Sequence, residues 1–209
     1  MSASELFDRY FRQCPLIGII RGVTADQAVA TARAIYEGGI RIIEVPLNSP
    51  HPLKSISSIA DALGEDALVG AGTVLTVDDV EKVKQAGGRL VVSPNMNPEV
   101  IGATVAAGMV SCPGIFTATE AFAALRAGAT VIKLFPAEAA SPKVVKAMRA
   151  ILPKGSTLLI VGGVNPESMR GWLDAGANGF GLGGGLYKPG QSPEETLAKA
   201  KAYVQALKA

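Results

Sequence analysis

The sequence predicts an α/β protein, a single (β/α)8 TIM barrel preceded by one extra N-terminal helix. Three observations carry that expectation. Strand-like and helix-like segments alternate eight times without a break. Helix-ending glycines recur at Gly88, Gly108 and Gly128, an interval long enough for one short helix, a loop and a strand. No linker or shift of composition divides the 209 residues, so residues 1–209 read as one domain; a doubly wound sheet would usually stop at about five or six strands.

Each element has its own local reason. An amphipathic segment from Ser4 to Gln13 comes first, then strand one at Leu16–Arg21, LIGIIR. Thr24, with Gln27 three residues on, reads as the cap of a helix that Gly38 and Gly39 end. Strand two is Arg41–Pro46, RIIEVP. Ser49 and Pro50 read as the opening of the next helix, which Gly64 ends, and strand three is Ala67–Thr73. Thr76 with Asp79 starts a helix stopped by Gly87 and Gly88, before strand four at Arg89–Ser93. Asn97 and Pro98 begin a helix running to Gly108, and strand five is the short Met109–Cys112. Thr117 and Glu120 form a capping-box pattern, and Val131–Ala137 is strand six. Ser141 and Pro142 repeat the helix signal before strand seven, Thr157–Val161. Asn165 and Pro166 precede strand eight, Gly179–Leu182, and a last helix capped by Ser192 and Pro193 runs to the chain end.

Composition narrows the partners. With 48% apolar residues, 18% charged and a net charge of +2, there is no broad basic face for nucleic acid, and 5% aromatics leave little for base stacking. No apolar run reaches the roughly 18 residues that span a membrane, and the start MSASELFDRYFRQ is too polar for a secretory signal, so a cytoplasmic protein with a small-molecule ligand is expected. Cys14 and Cys112 suggest buried thiols, and the only histidine, His51, has no metal-site spacing around it.

The chemistry centres on Lys133, which lies within VIKLFPA. Alternation puts it on one face with Val131 and Phe135, and Ile132 and Leu134 on the other. It could end an edge strand and snorkel to water. Alternatively, desolvation holds its amine neutral for attack on a carbonyl. Reacting groups of such barrels stand at the C-terminal strand ends, which gather Arg21, Glu44, Thr73 and Lys133. Two lone opposite charges inside apolar strands, Glu44 in IIEVP and Lys133 in VIKLF, are expected to face one another, as a structural ion pair or as reacting groups. Strands seven and eight finish in Gly162-Gly163 and Gly183-Gly184-Gly185, where backbone amides can hold phosphate, although glycines also serve tight turns. Arg21 offers a place for a second anionic group.

The segments LIGIIRG (16 to 22), GGIRIIEVPLNSP (38 to 50), VGAGTVL (69 to 75), VVSPN (91 to 95), CPGIFTATEA (112 to 121), VIKLFPAE (131 to 138) and VGGV (161 to 164) resemble the class I 2-keto-3-deoxy-6-phosphoaldonate aldolases, in order and almost one per strand. EVPLNSP resembles the branch acting on the galacto epimer, since the gluconate branch tends to carry an arginine where this chain has Asn48. The resemblance implies Lys133 as the Schiff-base nucleophile, Glu44 as general acid and base, and Arg21 and Thr73 as substrate-holding groups. It further implies a phosphate on Gly162, Gly163, Gly183 and Gly184, with Asn48, Pro94 and Phe135 in support. No cofactor or metal is implied. The partner is a phosphorylated keto acid, and a homotrimer is implied. The family often has serine where this chain has Gly184, which would leave phosphate to backbone groups. Alternatives are an aldolase of the gluco epimer or of both, a phosphosugar epimerase or isomerase, and a non-catalytic phosphosugar-binding barrel.

Overall fold

Runs of Ile, Val and Leu a few residues long bury both faces when helices cover one side of a sheet and the other side closes on itself. The computed structural model, which describes residues 1–208, has this arrangement. In chain order the elements are α1 (Ala3–Gln13), β1 (Leu16–Ile19), α2 (Ala28–Glu37), β2 (Ile42–Pro46), α3 (Pro52–Leu63), β3 (Leu68–Gly72), α4 (Val77–Gln85), β4 (Leu90–Val92), α5 (Pro98–Ala106), β5 (Val110–Cys112), β6 (Gly114–Ile115), α6 (Ala118–Arg126), β7 (Ile132–Leu134), α7 (Pro142–Arg149), β8 (Leu158–Val161), α8 (Pro166–Asp174), β9 (Gly179–Leu182) and α9 (Pro193–Ala206). Ala209 lies outside the described residues.

The strands pair in parallel in the order β5-β4-β3-β2-β1-β9-β8-β7-β6. β5 and β6 are the two halves of the fifth barrel strand, separated at Pro113. The first half pairs with β4 and the second with β7. Proline has no N–H to give to a ladder, yet its carbonyl accepts from the Lys133 amide at 3.0 Å, and the Ser111 carbonyl accepts from Thr130 and Val131 at 3.0 and 3.1 Å. Those bonds join the two ends of the sheet, and the expected eight-stranded barrel closes.

Alternation sorts the side chains into two cores. Ile17, Ile19, Ile42, Leu68, Leu90, Val92, Val110, Cys112, Val131, Leu159 and Val161 fill the barrel, joined by Leu6, Phe7 and Tyr10 of α1, the expected extra helix. Leu16, Ile43, Val69, Val91, Ile132, Leu158 and Phe180 point outward to the helices. No helix of the described residues is long and apolar enough to cross a membrane.

Strand bounds follow the sequence expectation but are shorter, so Arg21 and Thr73 fall just past β1 and β3. The Thr76, Asn97, Thr117, Asn165 and Ser192 caps accept helix amides as anticipated. Three readings are corrected. α2 starts at Ala28 with no side-chain cap, because Thr24 and Gln27 form a backbone turn, Gln27 N–H to Thr24 carbonyl at 3.1 Å. α3 starts at Pro52 behind His51, since the Ser49 hydroxyl instead accepts the Gly22 amide at 2.9 Å. Ser141 flanks α7 but makes no capping bond with its side chain.

Glycine is needed for close approach at Gly70, where a Cβ would overlap the Leu90 backbone, and is not needed at Gly102 inside α5, where a Cβ would meet nothing. Gly70→Ala is therefore expected to lower stability by about 1–3 kcal/mol or more through overpacking. Gly102→Ala is expected to raise it by roughly 0.5–1 kcal/mol. Urea melts of the two variants check both signs.

Candidate active site

The inner face of β3 carries glycine at the level of Glu44, with Glu44 beside Gly70 in the ladder. A Cβ on Gly72 would overlap the Glu44 carboxylate, so the side chain that β3 lacks is the space Glu44 fills. Ile19 of β1 registers with Glu44 on its other side. Lys133 on β7 lies between Gly114 and Leu159, again beside a glycine. Both charges are buried, Glu44 at 3% exposure and Lys133 at 6%.

The two do not touch. Among the described residues no ion pair joins Lys133 to Glu44 within 4.0 Å, and Glu44 Oε2 has no hydrogen-bond partner. The structural ion pair is thus absent, and each charge keeps its desolvation cost. Burial raises the Glu44 pKa to about 7, against the pull of Lys133 and Arg21. Burial likewise holds the Lys133 amine below the ordinary lysine value, opposed by Cys112 and Glu44. The Lys133 Nζ lies 5.0 Å from the centre of the Phe135 ring, which screens it from one side. Cys112, on the same inner face, is pushed by burial to about 12 and stays a thiol.

Arg21 and Thr73 meet past the strand ends. The Arg21 guanidinium donates to Asn48 Oδ1 and, at 3.4 Å, to Thr73 Oγ1. Thr73 is held at φ +57, an uncommon conformation for a β-branched residue. Such strain costs of order 1–3 kcal/mol and persists only where its surroundings fix it. Here the flanking backbone does so, with the Gly72 carbonyl accepting from Leu47 at 2.8 Å and the Val74 amide donating to Val92 at 3.3 Å.

A cavity of about 610 Å³ opens beside this group, a size suited to a small ligand. Arg21, Phe135, Gly162, Gly163, Gly183 and Gly184 are among the residues that line it. Gly162 and Gly163 take φ of +110 and +64, a backbone that favours glycine. Gly183 and Gly184 have open space where a Cβ would stand. A serine at 184 would fit, so its absence removes a hydroxyl from the turn and leaves the backbone in place. Lys133, Glu44, Thr73, Asn48 and Pro94 lie outside the cavity lining, and the Pro94 carbonyl packs against Gly114, the ladder neighbour of Lys133.

Sequence reasoning missed Glu138, Tyr187 and Lys188, which also line the cavity. Glu138 leans over Gly162 and Gly163, and among the described residues the buried Tyr187 hydroxyl has no hydrogen-bond partner. Their signals were the end of VIKLFPAE and the LYKP that follows the triple glycine.

The family model for KDPG and KHG aldolase matches residues 7–199. The 2-dehydro-3-deoxy-6-phosphogalactonate aldolase of Escherichia coli (strain K12) is 48% identical over 194 residues, 93% of this chain and 95% of that protein. A solved structure of native KDPGal has a TM-score of 0.92 and 47% identity, covering 94% of this chain and 95% of that one. The KDPG aldolase of Legionella pneumophila, solved with pyruvate captured at low pH as a covalent carbinolamine intermediate, has a TM-score of 0.85 at 25% identity and covers 98% of each chain. Matched by the family model over residues 7–199 and 48% identical over 93% of its length to an aldolase of this kind, this chain belongs to the KDPG and KHG aldolase family.

Proposed function

We propose that the chain is a class I aldolase that cleaves 2-dehydro-3-deoxy-6-phospho-D-galactonate to pyruvate and D-glyceraldehyde 3-phosphate. The observation that carries the reading is the buried, unpaired Lys133 amine on the same inner barrel face as a carboxyl poised at about 7. The galacto epimer is favoured because the similarity to the phosphogalactonate aldolase, 48% identity, far exceeds that to the Legionella phosphogluconate enzyme, 25%.

In the proposed cycle the neutral Lys133 amine attacks C2 of the keto acid. Glu44 passes a proton to the carbinolamine oxygen, and water leaves to give the imine. Glu44, now a carboxylate, takes the C4 hydroxyl proton through a water. The C3–C4 bond breaks, its electron pair flows to the imine nitrogen as an enamine, and the aldehyde departs. Reprotonation at C3 and hydrolysis return the amine and release pyruvate. Arg21 holds the substrate carboxylate by its planar fork with Thr73 beside it, and the glycine turns hold the phosphate through backbone amides. The carbinolamine of the Legionella protein supports the first step.

Borohydride with pyruvate is expected to leave a reduced pyruvyl adduct on the peptide containing Lys133, and Lys133→Ala to leave none. Coupled pyruvate assays on the two C4 epimers should show faster cleavage of the galacto form. An untrapped wild-type chain sinks the aldolase reading, and equal rates sink only the epimer preference.

Glu44→Gln is expected to slow turnover about 100- to 10,000-fold, and to remove an alkaline limb near pH 7 from the kcat/KM profile, because the proton Glu44 gives to the carbinolamine is lost above that pH. Stability moves the other way. Folding raises the Glu44 pKa from 4.5 to about 7, so the fold binds that proton more tightly than the unfolded chain does. The resulting stabilisation is full below about 4.5 and is lost as pH rises through about 7, a loss of about 3 kcal/mol. Glu44→Gln has no such loss, so its advantage over the parent in urea melts should be present at pH 8 and absent at pH 4.

We further propose a homotrimer. Leu75 and Val77 after β3 and Phe116 after β6 leave large apolar side chains exposed, at 47%, 47% and 40%. Sedimentation should give about three times the 21.5 kDa chain mass, and Phe116→Asp should shift it towards the single chain.

A further inference from the structure

Arg21 is a long, mobile side chain on an exposed turn past β1, yet its proposed task demands a fixed fork. The turn itself is weakly closed, with Val23 N–H reaching the Ile20 carbonyl at 3.3 Å. Gly22, at φ +78, is a residue whose backbone is otherwise free to rotate, and a Cβ there would overlap the Pro189 ring. What fixes the turn from the other side is Ser49. Its hydroxyl accepts the Gly22 amide at 2.9 Å across 27 positions of sequence. Ser49 is only 8% exposed, and its own amide is tied to the Pro46 carbonyl at 2.9 Å, so the acceptor is carried directly by β2. Its neighbour Asn48 accepts from the Arg21 guanidinium.

We propose that Ser49 is a positioning residue for the substrate carboxylate. Residues 48 and 49 form a two-point clamp on residues 21 and 22, Asn48 holding the guanidinium and Ser49 the backbone from which it springs. Ser49 touches no reacting atom and acts through Arg21. The clamp also links the Arg21 fork to the strand that carries Glu44, because Ser49 hangs from Pro46, two residues beyond that carboxyl in β2. Carboxylate anchor and proton carrier are thereby held by one rigid element. The inference rests on the aldolase reading and on Arg21 as the carboxylate ligand.

The test is a double-mutant cycle read as saturation of borohydride trapping by pyruvate, which reports pyruvate affinity without turnover. Losing one neutral hydrogen bond of this kind is expected to weaken half-saturation about fivefold in Ser49→Ala. Ser49→Thr, which keeps the hydroxyl, should restore it. In the Arg21→Ala background, where pyruvate affinity is already reduced, adding Ser49→Ala should weaken it no further. Losses that add in both backgrounds would show a merely structural role and overturn the proposal, as would unchanged half-saturation in Ser49→Ala. If Arg21→Ala alone leaves pyruvate affinity intact, the clamp has nothing to position and the proposal falls while trapped imine still upholds the aldolase. A wild-type chain that traps no imine fails the aldolase reading itself, and the clamp with it.

Discussion

The structure depends on keeping two opposite charges out of water without letting them neutralise each other. Glu44 and Lys133 lie on the inner barrel face, and both are shifted towards their neutral forms by burial rather than held charged by contact. A direct ion pair would restore ordinary charge states and, with them, an inert amine. The cost of ionising Glu44 in the fold, about 3 kcal/mol, is comparable to the roughly 1.5–3 kcal/mol that one buried aliphatic side chain contributes. Leu68 or Leu90, at the foot of the same barrel, offsets it. The barrel therefore tolerates this pair because its lower interior is filled with aliphatic side chains and sealed by Leu6, Phe7 and Tyr10 of α1.

Strand-borne features were legible in the sequence because they follow from local periodicity. Alternation put Lys133 on one face with Val131 and put Ile132 and Leu134 on the other, and the barrel keeps that division, with Val131 inside and Ile132 and Leu134 outside. Arg21 and Thr73 could be gathered as strand-end residues and do meet, by a hydrogen bond at 3.4 Å. Features decided by distant partners were not legible. Ser49 carries every local mark of a helix opener, yet its hydroxyl goes to Gly22 and the helix begins at Pro52. The break at Pro113 is a matter of which neighbour each half of a strand pairs with, which no window of sequence contains. Glu138, Tyr187 and Lys188 enter the cavity from turns whose course is set by tertiary packing.

Strands and loops divide the work, and Arg21 is where the division is bridged. The proposed reacting pair stands on β2 and β7, elements with no freedom to shift register once one face is buried. The proposed phosphate-holding groups stand on turns, Gly162-Gly163 after β8 and Gly183-Gly184 after β9, whose chemistry can change without disturbing the barrel. Open space at Gly184 illustrates this, since a side chain there would meet nothing.

Arg21 alone among the proposed catalytic and carboxylate-holding residues lines the cavity and also bonds Thr73 and Asn48. On the proposed reading, a ligand in this cavity is held by its carboxylate at Arg21 and by its phosphate at the glycine turns, all of which line it. Binding energy gathered at the phosphate, remote from the bond that breaks, can then be spent on orienting C2 towards the amine. Pyruvate, with only the carboxylate anchor, lacks that second hold. On the proposed reading the two-ended substrate is held for reaction and the one-ended product is free to leave, a difference that follows from having two anion sites where pyruvate has one anion.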